Sequence, residues 1–597
     1  MSKITKYLKK VMEEDIISLD DVILEESKDN KKIFKVKYNN KYKYIGSKYN
    51  NNKDINKFLN NIKDVCIDSC IIIFGIGTGE HILKLQKQIN KFNKVLIIEP
   101  DLRILKRFLK LDSSKSIIED ERITIIAYEE NMIYNYIVSF IGYQVDYNNV
   151  KFSSYANYEH IYLDKYIEVL KSLKDALNFF ETNVATEIVM ANNFMNTYLK
   201  NIQYIADSYM LNDFKNKFKG FTAIIVSAGP SLEKNIDNLK GIHDNAIIIC
   251  GNRTLKPLLD KGITPNFMCS IFSKDMVYEM AQGYIEKEIP LIFTETTSNK
   301  LVESQKGPRI FFKYNVVDTN IEGILEKEID TLYSGGSVAH NSIDFATYLG
   351  CKTIIFIGQD LSYTNNKRHA TIAQNKKNNN IDNDKDMIKV KGINGELIYT
   401  TRVLDGYRKN IEDYIKSVDD KNIKFINATE GGVDIEGAES MTLEEAIHKY
   451  AIKEGIYKIT RNLFISKNNI NLDIVKKNVE SNYKAIIELE KELKNIKKLI
   501  EKFLSNNSLK RIKQINEKIS KINYKIDNNN EIRFMNFLLL SVMDRSSIYF
   551  RYEKTNDELQ NAKKLLKAFD NLYNDIIQCI DNIKPKIEIC INNLEVK

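Results

Sequence analysis

The chain is 597 residues long and 43% hydrophobic, globular in composition and too long for a single core, so about two to four domains are expected. Its 88 Lys and Arg stand against 80 Asp and Glu, a net charge of +8 interspersed with acids and asparagines; this is the pattern of a solvated surface, not of a nucleic-acid groove. Seven scattered cysteines speak against a disulfide frame: Cys250, Cys269 and Cys351 fall in apolar strand contexts, and Cys66 and Cys70 lack the further ligands that zinc requires.

From the N-terminus, M-S-K-I-T-K-Y-L-K-K lacks the apolar core of a signal peptide. Lys32 to Tyr44 alternates as a hairpin turning at Asn39-Asn40, and a helix is predicted near Ile55 to Cys70. The run I-I-I-F-G-I-G-T-G-E-H, Ile71 to His81, leaves a buried strand through three glycines into a helix. The next strand, Val95 to Ile98, ends in Glu99-Pro100-Asp101. Glycines at 75, 77 and 79 with an acid about twenty residues on form the general pattern of a dinucleotide or S-adenosylmethionine site. The third glycine comes one residue early for G-x-G-x-x-G, and such a turn also serves plain packing, so both uses stay open. A strand at Ile123 to Ala127 and a helix after Glu129 complete a Rossmann-like domain over residues 1–150. Residues 151–219 read as a helical connector, with Leu163, Ile167, Leu170, Leu173, Leu177 and Phe180 at spacings of three or four.

The central domain, residues 220–453, opens on a strand at Ala223 to Val226 that breaks at Ala228-Gly229-Pro230. Ser231 stands at the expected helix N-cap, and Leu232, Ile236 and Leu239 follow at helical spacing before a second strand, Ala246 to Cys250. Gly229 permits close backbone approach, and a helix start offers N–H groups to a phosphate or carboxylate. Further strands at Phe267 to Ile271, Leu291 to Thr294, Ile310 to Tyr314, Thr353 to Ile357 and Ile423 to Ile426 predict a doubly wound parallel sheet. Ligands in such sheets bind beyond the carboxyl ends of the strands. Those ends hold Ser227 to Gly229, Gly251-Asn252-Arg253, Glu295, Gln359-Asp360 and Asn427 to Gly432.

A second constellation spans Tyr333 to Tyr363. Gly335-Gly336-Ser337 start a helix, and a buried strand ends in Asp360, followed by Tyr363, Arg368 and His369. The polar stretch Asn375 to Lys391 reads as a mobile loop suited to a lid. Two anion-binding helix starts in one sheet suit a ligand carrying two anionic groups. His369 fits a general base, since a neutral imidazole with a pKa of about 6.5 takes a hydroxyl proton at neutral pH. His340, one turn into its helix, reads as packing or capping.

Residues 454–597 lose nearly all Gly and Pro and read as an all-helical domain; Ile486, Leu489, Leu493 and Ile496 mark one apolar face of Leu472 to Leu504. Partner binding, self-association and plain scaffolding are equal expectations for it. The most apolar segment, Phe534 to Met543, is too short to span a bilayer, and a soluble cytoplasmic protein is expected.

The segments A-G-P-S-L, I-C-G-N-R, G-I-T-P-N-F, S-G-G-S-V-A, L-G-C-K-T-I-I-F-I-G-Q-D-L-S-Y and N-A-T-E-G-G-V-D-I-E-G, in this order over residues 70–450, resemble the motility-associated factor family of flagellin glycosyltransferases. That family is similar to bacterial sialyltransferases in its central domain and, more distantly, to 6-hydroxymethylpterin diphosphokinases. The resemblance implies an α/β fold with a Rossmann-like domain, a sialyltransferase-like domain and a helical domain. It implies transfer of a nonulosonic acid, such as pseudaminic or legionaminic acid, from its CMP-activated form to Ser or Thr of flagellin.

By the same resemblance Ala228, Gly229, Pro230 and Ser231 hold the CMP phosphate and ribose, and Asn252 meets the nucleotide or sugar. Gly335, Gly336, Ser337, Gln359, Arg368, Glu430 and Gly431 complete the donor site, with His369, Asp360 and Tyr363 at the chemistry. Two positions depart from the sialyltransferase pattern: Ala228 replaces an Asn, and S-I-F-S replaces S-I-D-P, with Asp275 displaced. No tightly bound cofactor is implied, and no D-x-D pair demands a divalent metal. Two rival readings are an ATP- and magnesium-dependent diphosphokinase with Asp360, Glu295 and Glu430 as metal ligands, and a non-catalytic flagellin-binding chaperone.

Overall fold

The computed structural model describes residues 19–595 except 64, 66–68, 91–92, 130–131, 142–148, 365–366, 368, 374–386, 419, 421, 466–469, 507–511, 551, 553–554 and 556. Cys66, Arg368, the N-terminal stretch and most of the expected lid lie outside the described residues. The chain forms two compact units. The first comprises Met1–Val189, Lys494–Lys518 and Leu540–Ile576; the second comprises Met190–Leu493, Ile519–Leu539 and Ile577–Lys597. The domain scheme read from the sequence therefore stands beside a coarser division in which the C-terminal helices contribute to both units.

In the first unit the hairpin at Lys32–Tyr38 and Lys41–Tyr44 turns where expected. Asn39 and Asn40 adopt φ of 49° and 59°, the left-handed pair that a two-residue turn requires. Val22–Glu26 adds a third antiparallel strand. A separate four-stranded parallel sheet runs Ile123–Ala127, Lys94–Glu99, Cys70–Phe74, Val150–Ser154. The expected helix up to Cys70 is shorter, Asn51–Asn61, because the apolar run extends back to Cys70, which pairs with Lys94 in the sheet. Val150–Ser154, half-exposed and weakly apolar, is an edge strand that the sequence pattern does not announce.

The second unit is built on a nine-stranded parallel sheet in the order Glu439–Ser440, Lys424–Asn427, Thr353–Ile357, Thr222–Val226, Ala246–Gly251, Phe267–Ser270, Leu291–Phe293, Arg309–Phe311, Tyr209–Met210. Ala223 and Ile225 face one side, Ile224 and Val226 the other, and all four are buried, as expected of a sheet covered on both faces. Cys250, Cys269 and Cys351 are buried free thiols in this core. The end of the expected loop is corrected: Met387–Lys391 is a strand paired with Leu397–Thr401. Its M-I-K-V-K alternation is masked in the sequence by the Asn, Asp and Lys that precede it.

The helix expected from Leu472 to Leu504 runs Leu472–Asn506, and Ile486, Leu489, Leu493 and Ile496 are all buried on it. Phe534 to Met543 is a 3₁₀ turn and helix with Phe534, Met535, Leu539 and Val542 buried. No helix among the described residues is long and apolar enough to cross a membrane.

Candidate active site

The order of the sheet locates the crevice. From Thr222–Val226 the chain adds strands in one direction through Ala246–Gly251, then returns to place Thr353–Ile357 on the other side. The carboxyl ends of Thr222–Val226 and Thr353–Ile357 are thus the switch point, where no crossover blocks access. In-register pairing of Val226 with Ile357 sets Ser227 beside Gly358. The Ser227 N–H donates to Ile357 O at 2.9 Å and the Gly229 N–H to Gly358 O at 2.7 Å. The Ser227 hydroxyl donates to the Gln359 side chain, and the Gln359 N–H donates to Thr429 Oγ1 at 3.2 Å.

The turn at Gly229–Ser231 differs from its sequence reading in two respects. The helix after it is only Leu232–Asn235, followed by a 3₁₀ turn, Ile236–Leu239; Asn235, Asp237 and Asn238 favour turns over helix interior. Ser231 lies in the helical region at φ −66° and does not cap. Its hydroxyl instead donates to Asp360 Oδ1 at 2.7 Å, and its N–H points at both carboxylate oxygens at 3.2 Å. The anion seated on this turn is therefore the chain's own Asp360, 1% exposed. Burial raises the Asp360 pKa, opposed by the Ser231 donors. Gly229 is required by this packing: a Cβ there would lie 2.0 Å from Asp360 Oδ1 and 2.5 Å from Gly358 O.

Several other candidates gather here. Gly431 borders Thr364, Asp360 and Ser231, and the Glu430 carbonyl accepts from Lys234 Nζ at 2.6 Å. Tyr363 is 9% exposed and ties its N–H to Tyr399 O at 3.1 Å. Leu361 holds a left-handed φ of 49°, costly for a branched residue, with its carbonyl clasped by Thr400 Oγ1 at 2.6 Å. The half-buried His369 is brought against the turn, because the next residue, Ala370, donates its N–H to Ala228 O at 2.9 Å.

Gly335-Gly336-Ser337 starts the helix Val338–Tyr348, with Ser337 as N-cap. It lies next to the neighbouring strand end, since a Cβ on Gly251 would be 3.0 Å from Val338 Cγ1. Asn252, 7% exposed, turns its amide towards Met268 Sδ at 3.9 Å. His340 packs as expected. Its ring nitrogens lie 3.2 Å from Ser337 O and 3.1 Å from Tyr407 O, the ring fills the space over Gly335, and burial lowers its pKa.

One residue escaped the sequence reading: Glu233 accepts from the backbone of Thr371 and Ile372. Arg253, expected at its strand end, reaches Ala373 O through Nη1 at 3.5 Å. No local signal marks Glu233, because its partners come 138 residues later.

Glu295 does not join the site. Four strand spacings separate its strand from Thr353–Ile357, roughly 19 Å. The metal set of the diphosphokinase reading, Asp360 with Glu295 and Glu430, is thus not assembled. Among the described residues no group of three or more His, Cys, Asp or Glu is placed to hold a metal ion. Glu295 is fully buried, accepting from the Tyr314 N–H at 2.9 Å, and burial pushes its carboxyl up to about 8.

A raised carboxyl pKa means that the folded chain keeps a proton which the unfolded chain loses above about 4.5. Its contribution is complete below that pH and is lost as pH rises through about 8, at up to about 1.4 kcal/mol per unit. Glu295→Gln is therefore expected to reduce the fall in melting temperature between pH 5 and pH 8 (roughly the two ends of that window), as read by calorimetry. An unchanged fall would show that Glu295 is ionised when buried.

The N-terminal glycine turn is filled from within. Gly75, Gly77 and Gly79 all adopt left-handed φ, and a Cβ on Gly75 would lie 2.3 Å from the Tyr158 ring. The Tyr158 hydroxyl accepts from the Gly77 N–H at 2.9 Å and donates to Glu99 Oε2 at 2.7 Å. Glu99, the acid that a nucleotide ribose would need, also accepts from the Ile76 N–H at 2.8 Å. His81 stacks on Tyr155 at 3.6 Å. Of the two uses left open, packing matches this geometry.

A family profile described as 6-hydroxymethylpterin diphosphokinase MptE-like matches residues 196–366. No curated protein matches the chain in sequence. Among solved structures, a MAf glycosyltransferase from Magnetospirillum magneticum AMB-1 is similar at a TM-score of 0.62 and 14% identity, over 100% of this chain and 96% of that one. This is a likeness of fold, and it falls on the family that the motif series resembles.

Proposed function

We propose that the chain is a glycosyltransferase that moves a nonulosonic acid from a CMP-activated donor to Ser or Thr of flagellin before export. One observation carries the reading: the Ala228–Ser231 turn, the Gln359–Asp360 strand end and the His369 segment converge at the switch point of the sheet. The ordered motifs and the fold likeness to a MAf glycosyltransferase support the same class.

In this reading His369 takes the proton of the acceptor hydroxyl as its oxygen attacks the anomeric carbon, and the bond to the CMP phosphate breaks with inversion. The Ser231 donors are already engaged by Asp360, so Asp360 shapes the turn. The Ser337 helix start is proposed to meet the leaving phosphate, with Tyr363 or Arg368 as further candidates to stabilise it. The C-terminal helices are proposed to grip the acceptor, and a cytoplasmic location follows from modification before export.

A diphosphokinase is the second reading, favoured by the family profile over residues 196–366. Calorimetric titration with CMP, ATP with magnesium, and S-adenosylmethionine separates them. CMP alone is expected to bind; binding of ATP with magnesium and not CMP would establish the kinase reading.

A further inference from the structure

Among its described residues, the segment carrying His369 has no strand or α-helix, only the 3₁₀ turn Thr371–Ala373. It is held by a few bonds to the donor turn, and one of them comes from a side chain. Glu233 stands on the short helix Leu232–Asn235, immediately after the Gly229–Ser231 turn. Its Oε1 accepts the Thr371 N–H and, at 3.3 Å, the Ile372 N–H. These residues open the 3₁₀ turn Thr371–Ala373, whose first N–H groups have no partner within the turn. A carboxylate on backbone N–H groups makes charge-assisted bonds, stronger than neutral ones. Burial tends to raise the Glu233 pKa, but the bonds from Thr371 and Ile372, with Lys367 nearby, hold it below its ordinary value. Lys367 Nζ also reaches Thr371 Oγ1 at 3.0 Å, and Ala370 is bonded to Ala228.

We propose that Glu233 is the positioning residue for His369: its carboxylate clasps the backbone two and three residues beyond the histidine and locks the base onto the donor turn. The proposal rests on the reading of His369 as general base. It links the two halves of the site across the chain, so that the turn meeting the donor also sets the place of the base. Proton transfer needs heavy atoms at hydrogen-bond distance, and a displacement of about 1 Å costs on the order of 10²-fold in rate.

Glu233→Ala and Glu233→Gln, each compared with the parental full-length chain, test it by hydrogen exchange and by steady-state kinetics with the CMP-sugar and an acceptor. In Glu233→Ala, exchange over residues 367–373 is expected to accelerate at least about tenfold while Thr222–Val226 keeps its protection. The kcat falls about 10²-fold, and the KM for the donor moves less than about threefold. Glu233→Gln retains an acceptor oxygen and is expected to restore kcat to within about tenfold of the parent. Full kcat in Glu233→Ala with a loosened segment overturns the proposal. So does a loss spread over the whole sheet that Gln fails to rescue. A parental protein that binds CMP yet transfers no sugar instead overturns the base assignment on which the proposal rests, and the exchange arm keeps the two failures apart.

Discussion

Gly229→Val is expected to lower CMP affinity by at least about 100-fold, close to 2.7 kcal/mol, and to lower stability as well. Any side chain at this position points at atoms that are already placed. A Cβ would stand 2.0 Å from the Asp360 carboxylate and 2.5 Å from the Gly358 carbonyl, and the latter belongs to backbone tied into the sheet. Asp360 must then leave Ser231, which strands buried donors and opens the turn. Overpacking of this kind typically costs about 1–3 kcal/mol before the lost hydrogen bonds are counted. Titration calorimetry beside a urea melt separates the two effects. CMP binding at parental strength in a folded Gly229→Val chain would remove the donor from this turn.

His369→Ala is expected to leave CMP binding nearly intact and to cut transfer by about 10²–10⁴-fold, the usual contribution of a general base. His340→Ala should behave in the opposite way. Its ring is 1% exposed, fills the space over Gly335 and bridges Ser337 O and Tyr407 O. Truncation leaves a cavity and removes the one hydrogen bond that the single N–H of a neutral imidazole donates to these carbonyls, a loss on the order of 2–4 kcal/mol in stability with turnover per folded molecule retained. Melting curves and a glycan mass shift on acceptor, read for both variants, decide the assignment. A folded but inactive His340→Ala beside an active His369→Ala would exchange the two roles.

Strand periodicity made most of the central sheet legible. Runs such as Thr353–Ile357 are wholly buried and apolar but for the leading threonine because both faces are covered, and glycine at their ends marks the turns. The short edge strands Tyr209–Met210 and Glu439–Ser440 left no such trace, because two residues cannot display a period. Gly229 was legible as a close approach, but its partner was not. Sequence chemistry suggests an incoming phosphate, whereas the structure seats Asp360, which arrives from a strand more than a hundred residues later. The same distance hid Glu233. In the first unit, three glycines and Glu99 matched a nucleotide pattern, yet Tyr158, more than fifty residues beyond Glu99, occupies the space. Local patterns report which backbone shapes are needed and stay silent on what fills them.

Transfer of a CMP-activated sugar, as proposed, would be read from the intact mass of monomeric flagellin after incubation with the purified chain and a CMP-nonulosonic acid. The expected result is a mass increment of one or more sugar residues on Ser or Thr, with an equal release of CMP, abolished by Gly229→Val. Flagellin of unchanged mass, with the CMP-sugar recovered whole while flagellin stays bound to the chain, would contradict it and leave a binding protein in place of an enzyme.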